Sequence, residues 1–204
     1  DMGGFFRGNV DQMEIYEEGS YSASAINAWG ISDYDLMMEA HNIIKEEEEP
    51  FFSIILTAGN HSPHTVPIID KFKRIKSTNE HKKYGFSHEN ELNAFRFMDF
   101  ALGEFIRSAK EENYYNNTIF VILGDHGLGH HSQHNNYGAL SFHNFHVPLT
   151  IYSPGLQIAH EEIDEVVSSI DLMPTLMGLL NAPYTNTSLG RDLLSNRSYT
   201  GYSF

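Results

Sequence analysis

Residues 117–134 read NTIFVILGDHGLGHHSQH. The first half is a short, continuous run of branched and aromatic apolar residues closed by Gly124, which predicts a buried β-strand. An acid and a histidine, Asp125 and His126, follow at once and are flanked by Gly124 and Gly127. In open α/β sheets, ligands gather outside the carboxyl ends of the strands, so this stretch points to both a fold class and a site.

PFFSIILTAG (50–59) has the same character, with Pro50 before it and Gly59 at its end, and predicts a second buried strand. Between the two runs, Leu92, Phe95, Met98, Leu102, Phe105 and Ile106 recur at helical spacing and mark one face of an amphipathic helix. Strand, helix and strand in that order predict a right-handed βαβ unit in a mostly parallel sheet. HVPLTIYSPG (146–155) predicts a third strand ended by a Pro-Gly turn. SSIDLMPTLMGLLN (168–181) predicts a helix capped by Ser169 or Asp171, with Pro174 in its first turn and Asn181 at its stop. SDYDLMMEAHNIIKEEEE (32–49) predicts another from Ser32, with an apolar stripe through Leu36, Ile43 and Ile44 and a solvated run of glutamates. No repeat or internal boundary interrupts residues 1–204, which read as one α/β domain with a mixed, mostly parallel sheet flanked by helices.

A chain of 204 residues that is 41% hydrophobic can bury one substantial core. Its formal net charge of −14 argues against nucleic acid as a partner. An anionic substrate would need a local positive centre, either a bound metal or a basic loop. Cysteine is absent, which excludes disulfides and Cys-based zinc sites. No apolar run approaches the ~18 residues of a membrane span. The chain begins DMGGFFRG without an initiator Met and reads as part of a longer protein. Lys71, Lys73, Arg74, Lys76, Lys82 and Lys83 make up six of the thirteen basic residues. They form either a solvated lysine-rich loop or a surface that steers an anionic head group or rests on anionic lipid.

His61 and His64 lie just past the first strand, as Asp125 and His126 lie past the second. If the strands are parallel neighbours, all four side chains project over one edge. A carboxylate oxygen beside an imidazole nitrogen suits Zn²⁺ or Mn²⁺, with Gly124 and Gly127 allowing the tight turn that aims both at one ion. The plainer alternative is that Asp125 caps the next element and His126 is a surface residue. Of twelve histidines, His126, His130, His131, His134, His143 and His146 fall within residues 126–146. They form either a second metal or anion site or an exposed polar loop. His146 directly precedes a strand, and it reaches the same edge only if that strand is antiparallel or the loop doubles back.

GDHG (124–127), then HVPLTIYSPG, SSIDLMPTLMGLL (168–180) and LGRDLL (189–194), resembles the carboxyl-terminal half of the sulfatase-like branch of the alkaline phosphatase superfamily. PFFSIILTAGNHSPH (50–64), WGISDYDLMMEA (29–40) and YYNNTIFVILGDHG (114–127) are most similar to its lipoteichoic acid synthase and phosphoglycerol transferase group. The resemblance implies transfer or hydrolysis of phosphate or sulfate esters by a Thr, Ser or formylglycine nucleophile beside a divalent metal. Asp125 and His126 match the family's metal-ligand pair, for Mn²⁺ or Zn²⁺, with Mg²⁺ or Ca²⁺ as alternatives. His61 matches the histidine that contacts the substrate's phosphate or glycerol and is the catalytic candidate. His64 and His146 are candidates for the substrate rim, and Arg7 for a substrate-binding arginine; His130, His131, His134 and His143 receive no role.

In that family the nucleophile and a further acidic metal ligand lie in the amino-terminal half of the domain, ahead of Asp1. The expectation is therefore the carboxyl-terminal portion of one catalytic domain, inactive alone and dependent on that missing half. The resemblance further implies a parent anchored by upstream transmembrane helices, acting outside the bacterial membrane on an anionic envelope lipid or glycan. A sulfatase or phosphodiester or phosphonate hydrolase is the alternative enzyme, and a non-catalytic binding module of the same fold the alternative class.

Overall fold

The structure, a computed structural model, describes residues 2–76, 79–127, 142–156 and 160–195. They fall into two compact units, residues 1–157 and 158–204. Among the described residues the α-helices are α1 (Met2–Asn9), α2 (Asp33–Ile44), α3 (Glu80–Lys83), α4 (Glu89–Ala109) and α5 (Leu172–Leu179). Among the described residues no helix is long and apolar enough to cross a membrane.

The Ser32 hydroxyl starts α2: it accepts from the Asp35 amide at 3.1 Å and donates to the Asp35 carboxylate at 2.6 Å. The helix stops at Ile44, short of the glutamates. Adjacent carboxylates repel one another and offer no apolar face to hold a further turn. At the start of α4, His88 Nδ1 accepts from the Glu91 amide at 3.2 Å, while the Glu91 carboxylate accepts from Ser87 N at 2.7 Å.

Met37 and Ile44 of α2 join Ala101, Phe105 and Ala109 of α4 in the main core, closed by Tyr114 and Tyr115 from a 3-10 turn at Asn113–Asn117. The predicted stripe holds at Leu92 and Phe105, which are buried, and at Leu102 and Ile106, which pack on the core, and fails at Phe95. Phe95 is 44% exposed, and the buried line runs through Ala94, Phe97, Ala101, Phe105 and Ala109. Large side chains drew the stripe in the sequence, but small ones let a second helix approach. Ala94 and Phe97 pack with Val66 in a second cluster. The Asn93 amide then grips the Ile75 backbone, accepting from its N at 2.8 Å and donating to its O at 2.9 Å.

The α/β class stands, and the strands differ in detail. Among the described residues the one ladder pairs β1 (Phe120–Leu123) with β2 (Leu149–Tyr152), antiparallel, in the register Phe120↔Tyr152 to Leu123↔Leu149. The expected strand over 50–59 carries no ladder hydrogen bonds. Phe51 and Ile55 pack on the core, whereas Phe52, Ile54 and Leu56 face outward. Residues 50–57 meet the core through side chains, so apolar content signalled burial without a neighbouring backbone to pair with.

In the second unit Asp171, one of the two expected caps, stands at the N-cap of the α-helix without a side-chain cap bond, and Ser168 rather than Ser169 caps the turn before it. The Ser168 hydroxyl and backbone form a capping box with Asp171, ahead of a 3-10 turn (Ser169–Asp171) and α5. Asp171 also accepts from Arg191 N at 2.9 Å, and Thr175 donates to Asp171 O at 2.7 Å while accepting from Leu193 N at 3.0 Å. Asn181 ends the element at φ 49°, as a helix stop requires.

Truncating Phe105, which is 5% exposed, should cost about 3–5 kcal/mol in chemical denaturation. The same change at Phe52, 74% exposed, should stay within about 0.5 kcal/mol.

Candidate functional site

The antiparallel ladder carries past the end of β1. Gly124 N donates to Pro148 O at 3.2 Å and Gly127 N to Asn144 O at 2.8 Å, laying residues 124–127 along the approach to β2. The flanking glycines serve this contact. A Cβ on Gly124 would come within 2.9 Å of Val147 Cβ, and one on Gly127 would strike the His143 carbonyl. Neither glycine adopts positive φ, so the need is room for a neighbouring chain rather than the tight turn expected from sequence.

Asp125 and His126 point outward from this edge, their side chains 72% and 66% exposed. His126 N donates to Asp125 Oδ1 at 2.8 Å, and His126 Nδ1 sits 3.0 Å from Gly127 O. A carbonyl only accepts, so Nδ1 is the donor in this contact and Nε2 is the ring atom left for a metal. That atom lies 3.6 Å from Asp125 Oδ2. Two metal–ligand bonds of ~2.0–2.2 Å at a tetrahedral angle span ~3.4 Å, so the pair fits a single divalent ion. Among the described residues no group of three or more His, Asp or Glu gathers in this way. A closed site of four ligands would take its other donors elsewhere.

The register also places His146. Leu149 faces Leu123, so the residues before β2 arrive at the end of β1, and exposed His146 reaches that edge by the antiparallel route. His143 is half-buried, with both ring nitrogens enclosed. His130, His131 and His134 lie outside the described residues.

A second cluster forms around His61. The extended segment ends in a turn in which His61 N donates to Ala58 O at 3.2 Å and His64 N to His61 O at 2.9 Å. Asp33, 2% exposed at the start of α2, holds the turn from below: Oδ1 accepts from Ala58 N at 3.3 Å and Gly59 N at 3.0 Å. A Cβ on Gly59 would collide with that carboxylate. Above, the Trp29 indole stacks on the His61 imidazole with centroids 4.0 Å apart and planes 11° from parallel. Trp29 Nε1 donates to Ser62 O at 2.9 Å. The indole is presented by a tight turn in which Ile26 N donates to Gly30 O at 2.8 Å, with Gly30 at φ 108°. His64, at φ 56°, meets His88 edge-on at 5.0 Å. Exposed Arg7 lies in the last turn of α1, and among the described residues no ion pair or ring contact joins it to His61 or Asp125.

Trp29 and Asp33 were not singled out by sequence reasoning. The available signal was the chain's single tryptophan, set before a glycine and four residues ahead of a helix-opening acid. In the basic loop Lys71 pairs with Glu104 at 3.0 Å and Arg74 donates to Val66 O, while Lys73, Lys76, Lys82 and Lys83 stay exposed.

The fold is that of the alkaline phosphatase superfamily, whose members generally use divalent metals. The Sulfatase family model matches residues 4–182, and the chain belongs to that family. It is 29% identical over 203 residues to a lipoteichoic acid synthase-like protein of Bacillus subtilis, covering 91% of this chain and 31% of that one. It is 25% identical over 199 residues to lipoteichoic acid synthase of Staphylococcus aureus, covering 89% and 29%. Among solved structures, an alkaline phosphatase superfamily protein from Vibrio parahaemolyticus aligns with TM-score 0.77 at 30% identity, over 97% of this chain and 45% of that one. The lipoteichoic acid synthase LtaP of Listeria monocytogenes aligns with TM-score 0.70 at 23% identity, over 87% and 46%. The chain thus spans about a third of the curated relatives and under half of the solved ones.

Burial pushes the Asp33 carboxyl above its usual 3.8, against the opposing pull of the Gly59 and Ala58 amides. Ionised Asp33 therefore costs the native state more than the unfolded chain. The penalty grows as pH rises from 3.8 to the raised native pKa, then stays constant. An uncharged asparagine side chain at this position carries no such penalty. Relative to Asp33→Asn, the wild type should gain stability as pH falls from neutrality toward about pH 4, read as converging melting midpoints.

Proposed function

We propose that this chain is the carboxyl-terminal part of the catalytic domain of a metal-dependent phosphoglycerol transferase of the lipoteichoic acid synthase type. The observation that carries the reading is the Asp125–His126 pair, its imidazole fixed with Nε2 toward the carboxylate in a Sulfatase-family chain. Similarity to a lipoteichoic acid synthase-like protein and to a lipoteichoic acid synthase supports phosphoglycerol over sulfate as the group handled.

In this reading Asp125 and His126 supply two ligands for Mn²⁺ or Zn²⁺. When bound, such an ion supplies Lewis acidity toward a phosphoryl oxygen and lowers the pKa of a coordinated hydroxyl. The His126 Nδ1–H···O bond to Gly127 keeps the ligand ring from rotating. His61 donates a hydrogen bond to the oxygen on which negative charge develops, or passes its proton to the departing alkoxide. His146 and His64 line the rim, and Arg7 offers a guanidinium to the phosphate. The nucleophile and the remaining ligands come from an amino-terminal half outside these residues. That half would cover the outward face of Phe52, Ile54 and Leu56. The substrate is an anionic envelope lipid or glycan, met outside the bacterial membrane.

In the full-length enzyme, His61→Ala should lower phosphoglycerol transfer about 100-fold or more while leaving metal content intact. Asp125→Asn should strip the metal as well, measured by elemental analysis of the purified protein. Loss of metal in His61→Ala, or turnover of sulfate esters in preference to glycerophosphodiesters, would sink the reading. The 204-residue chain alone should bind Mn²⁺ weakly and show no phosphodiesterase turnover.

A further inference from the structure

We propose that Trp29 and Asp33 are positioning residues that orient His61, the indole fixing the plane of the imidazole and the buried carboxylate fixing the loop that carries it. This rests on the reading of His61 as the substrate-contacting histidine. His61 is exposed, in a turn at the end of a segment without ladder hydrogen bonds. An imidazole there would spread over several rotamers, and ordering it costs entropy each time substrate binds. Two attachments remove that freedom in advance.

Trp29 makes the first by holding two points of the loop at once. Its ring covers one face of the imidazole at 4.0 Å, and its Nε1 donates at 2.9 Å to the carbonyl of Ser62, the next residue. Stacking leaves the edge of the imidazole, with both nitrogens, clear for a ligand. The indole is itself held, since Trp29 N donates to Asn27 Oδ1 at 2.7 Å inside the Gly30 turn.

Asp33 makes the second. A carboxylate buried to 2% exposure is costly to keep, and its Oδ1 spends both hydrogen bonds on consecutive amides of the His61 loop. Those amides belong to Ala58 and Gly59, three and two residues before His61. Residues 29–33 thus clasp the loop at two places, before His61 through Asp33 and at His61 and Ser62 through Trp29, and the clasp is anchored to α2.

The test begins with the chain carrying isotopically labelled histidine, the His61 ring resonances being assigned by their loss in His61→Gln. A stacked indole displaces those ring-proton resonances upfield. Trp29→Leu should abolish the displacement and Trp29→Phe, which keeps a stacking ring, should retain most of it. Asp33→Ala should reduce it, and Asp33→Asn, which keeps an acceptor oxygen, should restore it. Absence of the displacement in the unaltered chain, or its survival in Trp29→Leu, overturns the proposal, and the first of these needs no variant to fold. In the full-length enzyme Trp29→Leu should lower kcat about 10–100-fold with KM little changed and metal retained. Added to His61→Ala it should cost nothing further, and an additive loss overturns the clasp. Unchanged turnover in His61→Ala would instead overturn the role proposed for His61, leaving the spectroscopic result to decide the geometry separately.

Discussion

Two side chains with no exposure at all, Ala101 and Ala109, let α2 lie against α4, and much of the first unit follows from that approach. A bulkier residue at either place would hold the helices apart and open voids beside Met37, Ile44 and Phe105. With α2 seated, its first residue, Asp33, is delivered beneath the loop that bears His61. The other end of α4 meets residues 66–75 through Phe97 and Asn93, so one long helix braces both flanks of that loop. His61 sits on an exposed turn, and the rigidity behind that turn comes from a seam of small residues.

Electrostatics sets a second constraint. A chain of formal charge −14 repels anions at long range, so an anionic substrate must be met by concentrated local features. The Asp125–His126 pair places a carboxylate and an imidazole together at an exposed edge, with Nε2 3.6 Å from Asp125 Oδ2. Lys73, Lys76, Lys82 and Lys83 remain as exposed positive charge, whereas Lys71 and Arg74 are already engaged within the fold.

Apolar runs, helix caps and the GDHG motif were legible because each is a local pattern with a local cause. Ser32 starts α2 and Asn181 stops the last helix for reasons contained within a few residues. Pairing was not legible: PFFSIIL has the composition of a strand, yet a ladder needs a second backbone in register, which composition does not encode. Phe95 misled for a related reason, since its size suggested burial while Ala94 and Ala101 shape the seam. Gly124 and Gly127 were flagged correctly as necessary, but their necessity arises from Val147 and His143, some twenty residues away. Trp29 and Asp33 went unmarked because both reach the His61 loop across about thirty residues of chain, where spacing carries no signal.

The β1–β2 register acts as a ruler. Because Leu123 faces Leu149, the separation between the Asp125–His126 pair and the approach to β2 is set by the ladder, and Gly124 and Gly127 extend the same ruler two steps further. The connection between the two sides does not enter that measurement. Substitutions that leave the ladder in register therefore leave Asp125, His126 and His146 at the same separation along the edge. The spacing of the edge is thus a property of backbone pairing, so side chains on it can be exchanged without moving their neighbours.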